Sequence, residues 1–207
     1  MRITHIATIS ALCGAAFTAQ ADFTTTWDSG TFEGWTSSPS PAAGNWDVFP
    51  TGGNPDGYVS YFDGPDGSTN PVFLFAPGQY LGDYTGFGPG AGFSYDAIWE
   101  SDDFDPILPP VIHLFGANGE EAIGFGAGVN STGWDSFFIA LEESSWDVVS
   151  GNWNDLLQNV TAVGISGDNG IGPDREAGVD NFTLIVPAPA SLTLLGLGAA
   201  FASSRRR

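Results

Sequence analysis

Four stretches of this chain alternate apolar and polar or small residues with a period of two. They are Tyr58-Val59-Ser60-Tyr61-Phe62, Val111-Ile112-His113-Leu114-Phe115, Phe137-Phe138-Ile139-Ala140-Leu141 and 160–166, and 177–185 reads as a final strand. A strand puts successive side chains on opposite faces, so this period predicts strands with one face buried. Helical spacing is nearly absent; only 152–158 allows a short helix. Glycine recurs throughout, and prolines gather in 39–55, 65–89 and 106–110, between the apolar runs. Short strands separated by turn residues predict an all-β sandwich. Gly124, Gly126 and Gly128 lack the spacing and the strand–helix setting of a dinucleotide loop. They predict instead a strand that another group approaches closely.

The two ends follow other rules. Arg2, an apolar stretch from Ile6 to about Phe17 and Ala19-Gln20-Ala21 have the layout of a secretory signal peptide, residues 1–21. At the other end Val186-Pro187-Ala188-Pro189 interrupts any strand, 190–202 is apolar apart from Ser191 and Thr193, and Arg205, Arg206 and Arg207 close the chain. As a helix the apolar run covers about 20 Å, near the lower limit for a membrane span, and the arginines would hold it from the cytoplasmic side. Proline motif, apolar helix and arginine cluster, in this order, resemble the PEP-CTERM sorting tail of Gram-negative bacteria, with VPAP in place of the commoner VPEP. The resemblance implies export across the inner membrane, a transient anchor in residues 186–207, and removal of the tail by an exosortase-type membrane protease at the cell surface. The domain between, 22–185, is expected to stand outside the cell.

Charge narrows the function. All 24 acidic residues fall within 22–180 and only Arg175 opposes them there, so this part carries −24 + 1 = −23. Phosphate contact needs lysine and arginine, so nucleic acid is excluded as a partner, and anionic membrane is disfavoured except through the tail helix. The lone cysteine, Cys13, lies in the leader. The domain therefore has no disulfide, no thiolate nucleophile and no cysteine-type zinc site.

The landmarks have a recognisable order. WDSGTFEGW (27–35) is followed by GGNPDGYVSYFDGPDG (52–67), FLFAPGQYLGDYTGFGPGAGFSYD (73–96), VIHLFGANGEEAIGF (111–125), WDVVSGNWNDLLQNVTAVGISGDNG (146–170) and GVDNFTL (178–184). This order resembles the laminin B domain, also called laminin domain IV type A. The insertion 100–110, ESDDFDPILPP, has no counterpart in the pattern. The resemblance implies a jelly-roll-like sandwich. In binding modules of that shape a structural Ca²⁺ often sits where the first and last strands adjoin, held by an early "FE…W" and a late "hDN". Here that implies Glu33 and Asp180 as metal ligands. Asp56, Asp63 and Asp66 sit in Gly-Pro turns and are expected to be turn formers.

Other chemistry finds little purchase. Glycoside hydrolysis needs two carboxylates about 5–9 Å apart, and neighbours on a strand, such as Glu120-Glu121 or Glu142-Glu143, point to opposite faces. His113, alone in the domain, shares a strand face with Val111 and Phe115, and no G-x-S-x-G elbow exists to pair with it. It is expected to be a packed, hydrogen-bonded histidine. The seven tryptophans raise the possibility of sugar stacking: Trp35 and Trp146 belong to the core by the resemblance, whereas Trp99 and Trp134 lie at strand edges and are the candidate ligand-binding residues. The expected protein is exported and non-enzymatic, with an adhesive or glycan-contacting role among extracellular polysaccharide or matrix components. The alternatives are a carbohydrate-binding module with a defined sugar and a calcium-bridged matrix protein.

Overall fold

Strands form where alternation predicts them. A computed structural model describes residues 22–38, 44–63, 72–100, 110–126, 133–167 and 176–187. The leader, the apolar tail helix and the centre of the 100–110 insertion lie outside the described residues.

Two six-stranded sheets face each other, and every strand pair is antiparallel. The first contains β1 (Phe23–Thr25), β3 (Gly44–Phe49), β4 (Tyr58–Asp63), β6 (Gly92–Glu100), β9 (Asp135–Ala140) and β12 (Glu176–Ile185). Its order is β3-β4-β12-β6-β9, with β1 beside the second half of β12. The second contains β2 (Thr36–Ser37), β5 (Phe73–Phe75), β7 (Val111–Gly116), β8 (Glu121–Gly124), β10 (Trp146–Ser150) and β11 (Val160–Ser166), in the order β10-β8-β7-β11-β5-β2. This is the jelly-roll-like sandwich expected, with one short helix, α1 (Trp153–Gln158), among the described residues. Asn152 caps the helix through Oδ1, which accepts from the amides of Asn154 (2.9 Å) and Asp155 (3.3 Å). Trp153 and Leu156, three residues apart on one helix face, are buried.

Aromatic side chains dominate the space between the sheets. Trp35 packs on Trp27, Tyr80 and Phe182 at ring distances of 5.5, 5.5 and 5.0 Å. Its indole N–H donates to Thr25 Oγ1 (3.0 Å), which also meets the Tyr80 hydroxyl (2.9 Å). Burial pushes the Tyr80 phenol up to about 12. Trp46 donates to the Val72 carbonyl (2.8 Å) and Trp146 to that of Ala140 (2.7 Å). Trp27, Trp35, Trp46, Trp146 and Trp153 are thus all core residues. At Gly124 an added Cβ would lie 2.8 Å from the Trp146 ring, so this glycine is the close approach that the sequence predicts; Gly126 lies beyond the strand and Gly128 outside the described residues.

β12, the central strand of its sheet, carries a bulge. Its pairing with β6 slips between Asp180 and Thr183, and Asn181 has φ +51°, a conformation asparagine tolerates better than most residues. Val179 and Phe182 both point into the core, three positions apart instead of two, because one extra residue is accommodated here. The bulge places Asp180 on the outer side directly opposite Asp96, and the Asn181 side chain also reaches Asp96.

Candidate functional site

On the outward face of the first sheet the alternation leaves Phe49 on β3, Tyr58 and Ser60 on β4, Gly178 on β12 and Asp96 and Ile98 on β6, with Ser136 on β9. These residues sit side by side across neighbouring strands. The Phe49 and Tyr58 rings stack at 5.1 Å with 19° between their planes. Tyr58 meets the Trp134 ring edge-to-face at 5.4 Å and 81°. The strip exists because Gly178 carries no side chain: a Cβ there would lie 2.8 Å from Ile98 Cγ2, 3.0 Å from Tyr58 Cδ2 and 3.1 Å from Trp134 Cη2. Phe49 is 43% exposed, and Tyr58 and Trp134 are half-buried, so the rings are held from below and open above.

Next to the rings lies a polar cluster. Asp96 accepts from Ser136 Oγ, from Asn181 Nδ2 (2.7 Å) and from Asn54 Nδ2 (3.2 Å). The loop 50–57 lies over this end of the sheet and is fastened by two carboxylates. Asp180 Oδ2 accepts the Asn54 amide (2.6 Å), Asp28 Oδ1 accepts the Gly57 amide (2.8 Å), and the Asn54 carbonyl takes the Asn181 side chain. The same loop orients the indole, since Trp134 Nε1 donates to the Gly52 carbonyl (3.1 Å). Asp180 is buried beneath it. Burial holds its carboxyl above the usual carboxylate range, reinforced by the charges of Asp28 and Asp96 and opposed by the two amide donors.

The four residues singled out from the sequence fare differently. Trp134 stands in the aromatic strip. Trp99 pairs with Ala177 through its backbone, and its side chain is outside the described residues. Glu33 is exposed, at φ +51°, with its carboxylate accepting from Ser29 Oγ (2.9 Å). Asp180 gives one oxygen to the Asn54 amide and the other to that of Asn181 (2.6 Å). No described contact joins Glu33 to Asp180, and among the described residues no three His, Cys, Asp or Glu side chains are grouped to hold a metal ion. As placed, Asp180 fastens a loop and Glu33 caps a turn at Ser29. Phe49, Tyr58, Asp96, Asn54 and Asn181 complete the face and were not singled out from the sequence. The alternation puts Tyr58 and Ser60 on one face, but only the register across β3, β4, β12 and β6 shows which residues of distant segments share it.

His113 behaves as its pattern predicts. It faces outward on the second sheet, edge-on to Phe73 at 4.8 Å and stacked with Phe115 at 5.9 Å. Its Nδ1 meets Glu121 Oε1 at 3.1 Å. Glu120 is tied instead into the turn at Asn118, whose amide donates to its Oε2 (2.8 Å), so the doublet does not form a carboxylate pair.

Residues 186–207 match the PEP-CTERM protein-sorting motif, which makes the C-terminus a sorting tail and the chain an exported protein. No curated protein matches the chain in sequence. Among solved structures, a family 11 carbohydrate-binding module from Clostridium thermocellum, in complex with a β-1,3-1,4-mixed-linked tetrasaccharide, is similar at 16% identity with a TM-score of 0.51. The likeness covers 83% of this chain and 99% of that one. An agarase is similar at 14% identity and TM-score 0.55 over 82% of this chain, which spans only 25% of the agarase. The L4b domain of human laminin alpha-2 is similar at 15% identity over 58% of this chain and 72% of that one, with a TM-score of 0.45. The likeness of fold that carries weight is the sandwich shared with the carbohydrate-binding module. Among the described residues no helix is long and apolar enough to cross a membrane.

Proposed function

We propose that this chain is an exported, non-enzymatic glycan-binding protein. It contacts exopolysaccharide or matrix components with the outward face of its first sheet. The observation that carries this is the Tyr58–Trp134 pair over Gly178, beside Asp96 and Asn181. Pyranose rings have apolar C–H faces that stack on aromatic rings, while their hydroxyls donate to carboxylates and exchange hydrogen bonds with amides. A face offering a ring platform and a fixed carboxylate side by side meets both needs. The likeness in fold to a module that holds an oligosaccharide supports the same reading, as an analogy only. After secretion across the inner membrane, the tail is the substrate of an exosortase-type protease, leaving the sandwich at the cell surface or in the extracellular matrix in an adhesive role. Cleavage would give a surface-exposed product ending near Pro187, which mass spectrometry reads directly.

Calorimetry with soluble glucan and galactan oligosaccharides tests the binding. Trp134→Ala and Tyr58→Ala are each expected to weaken affinity about tenfold, ~1.4 kcal/mol, measured well below the thermal midpoint of each variant so that the proteins compared are folded. Binding that survives the double substitution would place the ligand elsewhere.

A further inference from the structure

The charges around the face specify which glycans it takes. We infer that it binds uncharged polysaccharide and turns away uronate-rich and sulfated chains; this rests on the glycan-binding reading above. Among the described residues there is no lysine or arginine at all. The ionised groups on the outward face are carboxylates: Asp96 within the polar cluster, and Asp47 on β3, exposed and directly opposite Ser60. Asp56 adds a third in the loop at its edge. His113, the one basic side chain among the described residues, sits on the other sheet.

Recognition of a carboxylate or sulfate ester uses cationic forks or clustered amide donors. Here the amides of the covering loop are spoken for: Gly53 N donates to the Asp56 carbonyl, Asn54 N to Asp180 and Gly57 N to Asp28. The Asn181 and Asn54 side-chain amides point at Asp96. These donors of the loop and of the polar cluster are already paired within the chain, with the carboxylates of Asp180, Asp28 and Asp96 and with the Asp56 carbonyl. Acceptors, by contrast, remain. An ionised carboxylate has about four lone-pair sites, and Asp96 uses three described bonds. A hydroxylated neutral ring supplies donors and finds acceptors. A ring bearing its own carboxylate would set like charges side by side on a partly dehydrated face. The field of a −23 domain adds long-range repulsion that salt screens only beyond about 8 Å.

Affinity electrophoresis of the full-length chain, in native gels cast with mixed-linkage β-glucan, agarose, alginate or carrageenan, tests this. The expected result is retardation by at least one of the two neutral gels, lost in Trp134→Ala, with at least tenfold weaker retention by alginate and carrageenan. Asp47→Lys, which puts a cation on the same face, is expected to gain alginate retention. If the anionic gels retain the wild type through Trp134, or through Arg175 as shown by Arg175→Ala, the inference falls while glycan binding stands. Retention by alginate that appears with calcium and vanishes with chelator overturns it in the same way. Retention by none of the four gels, repeated with soluble oligosaccharides of each kind, removes the glycan-binding reading itself.

Discussion

At His113 two influences oppose each other. Burial among Phe73 and Phe115 disfavours the imidazolium, while the Glu121 carboxylate at Nδ1 favours it, and burial prevails, so the imidazole titrates below its usual range. The folded state therefore holds fewer protons than the unfolded chain between the lowered value and about 6.5. Stability falls as pH drops through that window and levels below it. Replacing Glu121 with Gln removes the favourable charge, so the His113 pKa is expected to move lower still in an NMR titration. The neutral folded pair would lose roughly 0.5–1.5 kcal/mol at pH 7 in urea unfolding. An unchanged ring titration in Glu121→Gln would mean that the contact has no energetic weight. The role of this histidine was legible because period-two alternation fixes which face a strand residue occupies. The identity of its partner was not, because Glu121 comes from the neighbouring strand and only the β7–β8 register brings it alongside. Gly124 shows the same division: its spacing announced a close approach, and the fold supplies the Trp146 ring that makes it. Gly124→Ala should cost about 1–3 kcal/mol by overpacking, measured as a fall in the urea midpoint without a change in slope.

Among elements, the decisive one is the loop 50–57 with the β12 bulge beneath it. The sequence made β12 visible through 177–185, and GGNPDGYVSYF as a turn leading into a strand. The extra residue at Asp180–Asn181 shows in the sequence only as Val179 and Phe182 standing three apart, and it takes the register against β6 to identify a bulge. Asp180 reads as a metal ligand through the resemblance alone, from the Val179-Asp180-Asn181 motif. It stands in the middle of β12 beside other acids, one oxygen accepting the Asn181 amide and the other an amide from a loop more than a hundred residues earlier in the chain. Removing the acceptor leaves buried donors unpaired, so Asp180→Ala is expected to destabilise by about 2–4 kcal/mol. It should also loosen Trp134, whose indole hangs on Gly52 of the same loop. The raised carboxyl gives a second handle. In the folded state Asp180 retains its proton above the ordinary carboxylate pKa, so its contribution to stability is greatest below that value and is lost as pH rises through the raised one. The stability difference, wild type minus Asp180→Asn, should therefore shrink steadily as pH is raised out of the acid range in a urea series. A flat difference would show that Asp180 ionises in the fold as freely as in the unfolded chain.

The whole molecule is governed by its one-sided charge. Residues 22–187 hold all 24 carboxylates and a single arginine, while the remaining four arginines are Arg2, Arg205, Arg206 and Arg207. Composition alone made this legible. A compact body of this charge repels itself more than its unfolded chain does, so screening should favour the folded state. Raising sodium chloride from about 0.01 to 0.5 M at pH 7 is expected to raise Tm by several degrees, roughly the effect of 1–2 kcal/mol for a domain of this size. Calcium offers the sharper comparison, because screening and specific coordination differ in form. Screening by calcium acts on every carboxylate, rises without saturation and is indifferent to any one substitution. A built site saturates, with a stabilisation that grows as RT ln(1 + [Ca²⁺]/Kd), and vanishes when a ligand is removed. With Asp180 committed to two amides and Glu33 to Ser29, the expected calcium response is the unsaturating kind, equal in wild type and in Glu33→Gln. A saturable rise in Tm at millimolar calcium, abolished by Glu33→Gln and reversed by chelator, would instead mean that the ion rebuilds the junction of the first and last strands, drawing Glu33 to Asp180.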